Sequence, residues 1–407
     1  MADTKRKKVY VGMSGGVDSS VSALLLLREG YEVVGAFMKN WSDTKDPVTG
    51  TCAWRKERAD AQAVADKLGI SLVTFDFEKD YRLEVVDYMI REYEAGRTPN
   101  PDVMCNRRIK FGLFLRQALA EGADFVATGH YARIVRAGRA GRDSFPARPA
   151  HAGRSPRSEA EPSGSRCGDT VREAENCFNL LAGVDENKDQ SYFLHTMTQE
   201  QLSRTMFPIG HLKKSEVRAL AREGGLPVAE KKDSQGICFI GQVDLSEFLE
   251  RVIPPRKGPI VTTDGRVVGV HHGIAPFTIG QRHGLGIGDA TPHFVVEKDR
   301  ARNTLVVARG ERPDELYSDS LGAAEAHWIS GQAPQFPLKC EARIRYRQPL
   351  EKCVVQVLGS GGAGELGSGE ELRVVFERPQ RAVAPGQFVV FYDGDVCLGG
   401  AVITART

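Results

Sequence analysis

The stretch Val9-Tyr-Val-Gly-Met-Ser-Gly-Gly-Val-Asp-Ser-Ser-Val21 constrains this chain more than any other. A short β-prone run from Val9 to Met13 breaks into a Gly/Ser turn, and a helix-forming apolar run follows at once. Gly15 and Gly16 have no Cβ, so the backbone there can turn tightly and press its N–H groups against an anion. A helix starting near Val17 adds its unpaired N–H groups and the positive end of its dipole to the same space. Asp18, Ser19 and Ser20 fall in that first turn, where an acid and hydroxyls suit a helix start and also suit phosphate or a metal ion. The reading is a phosphate cradle; the alternative is an ordinary glycine-rich turn between strand and helix.

A Walker A loop closes on Gly-Lys-Ser/Thr so that its lysine reaches the phosphates. Here no Lys lies between Gly12 and Ser20, and Asp18 would repel phosphate unless a cation intervened. The pattern Ser14-Gly15-Gly16-Val17-Asp18-Ser19 instead resembles the pyrophosphate loop of the ATP-pyrophosphatase superfamily, which splits ATP between its α- and β-phosphates.

The residues around this loop read as alternating strands and helices. Val17 to Glu29 is a helix with Val21, Leu24, Leu25 and Leu27 inward, closed by Gly30. Strands at Glu32–Met38, Ile70–Phe75 and Phe125–Ala127 alternate with helices at Arg55–Leu68, Tyr81–Ala95 and Arg107–Glu121, each helix stopped by glycine. That alternation predicts an α/β fold with a doubly wound parallel sheet, whose ligands sit at the carboxyl ends of the strands. Gly12 to Ser20, Met38 and Gly129 all fall there.

At 407 residues the chain has room for two or three domains. The spacing predicts an α/β unit over 1–205, which the resemblance of its loop makes ATP-binding, a small central helical or mixed unit over 206–257, and an all-β barrel over 258–407. Arg136 to Glu175 changes to Arg, Ser, Pro, Gly and Ala with few large apolar residues, so disorder is expected there, and Cys167 and Cys177 beside it are expected to do no chemistry. From Asn179 to Phe248 the pattern is mostly helical, with a capping box at Thr198–Gln201 and Ser215 capping Glu216 to Arg222. Pro254-Pro255 marks a boundary. Beyond it, Asp264-Gly265, Arg302-Asn303 and Asp393-Gly394 read as hairpin turns, and Gly359 to Gly369 as a long flexible loop.

Net charge is +2, so any basic surface must be local. No apolar run approaches the ~18 residues of a membrane span, and the polar N-terminus carries no signal peptide, so a cytoplasmic protein with no membrane partner is expected. Eight cysteines without a Cys-x-x-Cys pair fit neither a disulfide scaffold nor a structural zinc site.

Two cysteines draw attention. Cys105 lies in Thr98-Pro-Asn-Pro-Asp-Val-Met-Cys-Asn-Arg-Arg108, where two prolines suggest an extended path and a helix begins near Arg107. A thiol just before a helix start and beside Arg107 and Arg108 is favoured as thiolate, which suits a nucleophile; a capped turn with a buried cysteine is the alternative. Asp102 is near enough to act as acid/base or orienting group. Cys238, in Gln235-Gly-Ile-Cys-Phe-Ile-Gly241, reads on its own as a structural cysteine, although Lys231-Lys232-Asp233-Ser234 before it suggests a mobile approach. His130 alone reads as structural, as does His271-His272.

Nine segments in order resemble the tRNA 2-thiouridylase family. They are Gly12–Ser20, Phe37–Trp41, Asn100–Asn106, Ala127–Ala132, Lys188–Leu194, Asp233–Gly241, Thr278–Gly286, Arg343–Arg347 and Pro385–Gln387. The resemblance implies an enzyme that replaces the 2-oxygen of the wobble uridine of tRNA with sulfur, using ATP as co-substrate with Mg²⁺ near Asp18. It implies ATP contacts at Gly12, Met13, Ser14, Gly15, Gly16, Val17, Asp18, Ser19, Met38 and Gly129. It makes Cys238 the persulfide carrier, Cys105 the nucleophile able to close a transient Cys105–Cys238 disulfide, and Asp102 the general acid/base. It places tRNA contacts at Asn100, Pro101, Asp102, His130, Lys188, Asp189, Gln190, Arg345, Tyr346 and Gln387. The implied partners are the tRNA anticodon stem-loop and a persulfide donor or relay linked to a cysteine desulfurase. The Arg136–Glu175 segment is longer than the hairpin link of the family. Two other functions share the loop: an adenylating ligase or synthetase that needs neither cysteine, and a tRNA-binding protein without catalysis.

Overall fold

A computed structural model describes residues 6–42, 52–137, 177–232, 245–288, 291–358 and 371–407. The expected disordered segment after Arg136, the loop from Gly359 to Gly369, and Cys238 with its neighbours lie essentially outside these described residues.

The N-terminal sheet is built as the alternation predicts. Strands β1 (Lys8–Gly12), β2 (Glu32–Lys39), β3 (Leu72–Asp76), β4 (Phe125–Ala127) and the short β7 (Thr205–Met206) are all parallel, in the order β3-β2-β1-β4-β7. The order reverses between β1 and β4, which opens a crevice at their carboxyl ends. Residues of β1 alternate faces, as a pleated strand must. Val9 and Val11 join the core under α1 (Val17–Arg28), while Tyr10 joins the opposite core with Phe75, Tyr81, Ile109 and Phe114. In α1, Leu26 is fully buried and Leu25 and Leu27 only partly so; this helix is covered on most sides, and even Ser20 and Ser22 are buried, their hydroxyls bonded back to the Gly16 and Asp18 carbonyls.

Helix α2 (Ala53–Leu68) ends on Gly69 at φ 68°. Helix α3 runs through Glu78–Tyr81, a π-wound Arg82–Val86 and Asp87–Glu94. Helix α4 departs from expectation. It begins at Pro101 and continues through Pro101–Met104, a π-wound Cys105–Phe114 and Leu115–Ala120. Asn100 caps it, accepting from the Val103 N–H at 3.2 Å, and Pro101 sits where a missing N–H costs nothing. Cys105 therefore lies inside the helix, not before it.

Two further corrections fall in the middle of the chain. Phe178–Ala182, expected within a helical stretch, is strand β6, which pairs antiparallel with β5 (Ala132–Arg136). A five-residue apolar run suits either element, and pairing decides. Helix α5 (Gln199–Ser203) carries the expected capping box from Thr198, but α6 (Lys214–Glu223) starts one residue before Ser215, with Lys213 at the cap. Helix α7 (Leu245–Val252) ends just before Pro254-Pro255.

The strands after Gly258 form two sheets. Strands β8 (Gly258–Thr262), β9 (Val267–His271), β10 (His293–Asp299) and β11 (Thr304–Arg309) make one, in the order β10-β11-β8-β9. Strands β12 (Tyr317–Trp328), β13 (Leu338–Arg343), β14 (Glu351–Leu358), β15 (Glu371–Arg381), β16 (Phe388–Asp393) and β17 (Val396–Arg406) close into a barrel through β12–β17 pairing. The three predicted turns join β8 to β9, β10 to β11 and β16 to β17, with Gly265, Asn303 and Gly394 at positive φ. The N-terminal hairpin extends the barrel sheet: β6 pairs with β17 at Leu181–Val396 and Leu180–Cys397.

Candidate functional site

The loop between β1 and α1 is shaped by contacts that leave no space for side chains. Gly15 has φ 69°, and a Cβ there would stand 2.3 Å from the Glu57 carbonyl oxygen. A Cβ on Gly129, just past β4, would stand 2.7 Å from the Asp18 carbonyl carbon and the Ser19 nitrogen. A Cβ on Gly12 would meet the Met38 methyl at 3.1 Å. Gly12, Met38 and Gly129 thus gather around the start of α1 at the switch point of the sheet. Gly16 precedes the helix with no side-chain cap, and Ser19 Oγ accepts from the Ser14 N–H at 3.3 Å. An anion at this helix start would meet backbone N–H groups and hydroxyls.

The charge on this loop is balanced from far along the chain. Lys214 at the start of α6 places its Nζ 2.8 Å from both carboxylate oxygens of Asp18. Tyr131 donates its hydroxyl to Asp18 Oδ1 at 2.8 Å. Lys231 donates to the Gly15 carbonyl at 2.9 Å and to Asp60 at 2.5 Å. Sequence reasoning assigns none of these three residues to the loop, and it reads Lys231 only as part of a mobile approach to Cys238. Tyr131 lies within the Ala127–Ala132 segment, and Lys214 stands beside the serine taken as a cap, so proximity was the only signal. Among the described residues no group of three or more His, Cys, Asp and Glu could hold a metal ion.

Cys105 is a fully buried thiol in the cluster that also holds Met38, Trp41 and Ile109. Its N–H bonds back to Asp102 and Pro101 carbonyls, so the argument from a free helix start does not apply to it. Asp102 sits one helical turn before Cys105 on the same face, in the first turn of α4. Cys177, expected to be inert, is disulfide-bonded.

The residues expected to touch RNA divide into linked groups. Gln387 Nε2 donates to the Thr98 and Pro99 carbonyls at 3.0 and 2.8 Å, and Asn100 Nδ2 donates to Gln387 Oε1 at 3.4 Å. This contact seats the barrel on the segment that starts α4, with Pro101 and Asp102 next in line. Gln190 exchanges bonds with the Tyr131 backbone in both directions, 3.0 Å to Oε1 and 2.9 Å from its own N–H. Lys188, half-buried, bonds its N–H to the Asp185 carbonyl.

Asp189 is 3% exposed. It accepts from the Gly183 and Ser191 N–H groups, the Ser191 hydroxyl and Arg343 at 3.2 Å, so it supports the neighbouring surface from within. His130 is also buried. Its Nδ1 faces Thr128 Oγ1 at 2.7 Å and its Nε2 faces Lys110 at 3.4 Å, while the ring packs against Phe111 and Phe207. Burial, aided by the Lys110 ammonium, holds this imidazole well below the usual histidine range, so it is neutral. Arg345 donates to the Ile279 and Ala382 carbonyls and so ties the four-stranded sheet to the barrel. Tyr346 packs against Phe193 with ring centroids 4.6 Å apart and planes tilted by 44°, and the Arg347 guanidinium lies 5.0 Å from its ring. Aromatic and guanidinium faces are groups on which an unpaired base can stack.

A family profile described as tRNA methyl transferase HUP domain matches residues 7–242. One described as tRNA methyl transferase PRC-barrel domain matches 246–309, and one described as aminomethyltransferase beta-barrel domain matches 318–403. The last two spans coincide with the two separate sheets. The chain is 46% identical over 408 residues to the tRNA-specific 2-thiouridylase MnmA of Streptococcus mutans, covering 99% of this chain and 96% of that protein. It is 45% identical, with the same coverage, to the protein of the same name from Streptococcus thermophilus. Among solved structures, the U34-tRNA thiolase NcsA of Methanococcus maripaludis aligns at TM-score 0.32 and 17% identity over 62% of this chain and 70% of that one, a likeness too slight to build on.

Proposed function

The chain belongs to the tRNA-specific 2-thiouridylase family, and on that premise we propose that it exchanges the 2-oxygen of the tRNA wobble uridine for sulfur at the expense of ATP. The observation that carries the site is the seating of Gly129 on Asp18 and Ser19. It supports reading the Ser14–Ser19 loop, at the switch point of a parallel sheet, as an anion cradle.

ATP as co-substrate supplies the adenylyl group that turns a poor leaving oxygen into a good one. Backbone N–H groups of Ser14 to Ser19 would hold its phosphates, with Mg²⁺ beside Asp18 sharing their charge, and Met38 and Gly129 would border the nucleoside. The buried Cys105–Asp102 turn of α4 would stand under the base. Cys238 would carry the sulfur as a persulfide. Its terminal sulfur attacks the activated carbon, and the oxygen leaves with AMP. The Cys105 thiolate then attacks the inner sulfur of Cys238, breaking the S–S bond to the base and closing the Cys105–Cys238 disulfide. Asp102 would move the protons. The sulfur comes from a persulfide donor fed by a cysteine desulfurase, and an external thiol reopens the disulfide. The anticodon loop, being single-stranded, lets the base flip out to meet these groups.

The domain descriptions speak of methyl transfer, which makes a second reading. An anion cradle built of helix N–H groups favours polyphosphate over a cationic sulfonium donor. The test is to incubate the protein with tRNA, ATP, Mg²⁺ and a persulfide donor, then weigh the digested nucleosides. A sulfur-for-oxygen mass increase on uridine that requires ATP and is lost in Cys105→Ser and Cys238→Ser is the expected result. ATP-dependent AMP release without thiolation would leave an adenylating enzyme with another acceptor; a mass increase of a methyl group would overturn the reading.

A further inference from the structure

The phosphate loop contains no lysine, yet the fold brings one to it across 196 residues. We propose that Lys214 is the phosphate-binding lysine of this site, held on Asp18 until polyphosphate arrives and then transferred to the pyrophosphate portion of the nucleotide. The inference rests on the nucleotide-binding reading of the loop and extends it to a residue outside the loop.

Three features support it. The pair is accessible: the side chains of Lys214 and Asp18 are 14% and 32% exposed. An ion pair at that depth exchanges partners easily, unlike a fully desolvated one. The position is right as well. Asp18 is in the first turn of α1, so an ammonium bridging both of its oxygens stands beside the start of the helix that follows the loop. Finally, the carboxylate is not abandoned when Lys214 moves. Tyr131 already donates to Asp18 Oδ1 and is itself anchored through its backbone to Gln190. An ammonium facing one carboxylate on one side and several phosphate charges on the other is drawn to the phosphates.

Lys231 supplies the contrast. Its Nζ binds the Gly15 carbonyl within the loop. Because the carbonyl and the following N–H of a planar trans peptide point in opposite directions, the Gly16 N–H is directed away from Lys231. Lys231 therefore positions the cradle, and Lys214 completes it.

The experiment measures affinity of the full-length protein for inorganic pyrophosphate, Mg-ATP and AMP by calorimetry. Lys214→Met is expected to weaken pyrophosphate and ATP by roughly 10- to 100-fold, the range for a hydrogen bond to a charged group, while AMP is little changed. A merely structural lysine would weaken all three alike, which would overturn the proposal, as would unchanged pyrophosphate binding. The double variant Asp18→Asn/Lys214→Met leaves no carboxylate unpaired and so decides the matter if the single variant fails to fold. If Lys214 serves only to neutralise Asp18, the double variant binds pyrophosphate as Asp18→Asn does; if Lys214 binds phosphate, the double variant binds it more weakly than Asp18→Asn. A wild-type protein that binds neither ATP nor pyrophosphate would sink the nucleotide reading itself, an outcome distinct from failure of the lysine alone.

Discussion

Asp18 and Asp189 are both carboxylates met by a cation from a distant part of the chain, and they stand in opposite circumstances. Asp189 is 3% exposed, each of its oxygens accepts two hydrogen bonds, and its partner Arg343 is itself buried, with its guanidinium 4.7 Å from the Tyr392 ring. Asp18 is ten times more open and is held by a flexible lysine and one hydroxyl. The difference separates a lock from a switch. A desolvated pair whose carboxylate is fully bonded fixes geometry because neither partner can leave without stranding a charge. A partly exposed carboxylate that keeps a second donor costs less to part from its cation, which a site that must accept and release an anion requires.

The largest effect is expected at the lock. Asp189→Ala strands Arg343 and should cost about 3–5 kcal/mol in urea unfolding; a loss below about 1 kcal/mol would show that the two pairs are alike after all. At the switch, Asp18→Asn should change stability by less than about 1 kcal/mol. The same variant should lower ATP-dependent thiolation by about 100-fold or more, as removal of a group that orders transition-state charge does. Unimpaired turnover would break the comparison from the other side. Gly129→Ala places a methyl 2.7 Å from the Asp18 and Ser19 backbone. It should push the loop apart, costing about 1–3 kcal/mol of stability and weakening ATP.

An effect confined to alkaline pH is expected at a third kind of charge. Lys298 is held by the Ala275 and Phe277 carbonyls, and burial lowers its pKa from 10.5 to about 8. The native state therefore loses this proton before the unfolded chain does. Stability should rise between about pH 8 and 10.5 by up to about 3 kcal/mol, being flat below that window. The difference between wild type and Lys298→Met across that range isolates the contribution; a constant difference would mean that the ammonium stays charged throughout.

Much of the N-terminal half was legible because its signals are local. Alternation in Val9, Tyr10 and Val11 and the closing glycines at Gly30, Gly69, Gly96 and Gly122, all at positive φ, act within a few residues. The barrel hairpins were legible for the same reason. The misreading of Cys105 was also local. Pro101 was weighed as a helix breaker, although the first helical turn tolerates proline and Asn100 stands before it as a cap. Elsewhere the missing information was distance. Lys214, Lys231 and Arg343 reach their partners across 196, 216 and 154 residues, and no periodicity encodes such pairings. The membership of β6 in the barrel sheet was hidden likewise.

That shared sheet has a consequence for how the chain is made. Strand β6 emerges early in synthesis, but its outer neighbour β17 is more than 200 residues away and comes last. Until the final strand is released, the hairpin presents an open row of backbone donors and acceptors to whatever strand passes, the circumstance in which sheets pair wrongly. A ribosome that stops short of Val396 would thus leave a product with a folded nucleotide end and an adhesive flank. Loss of the last dozen residues should therefore register as insolubility before it registers as lost catalysis.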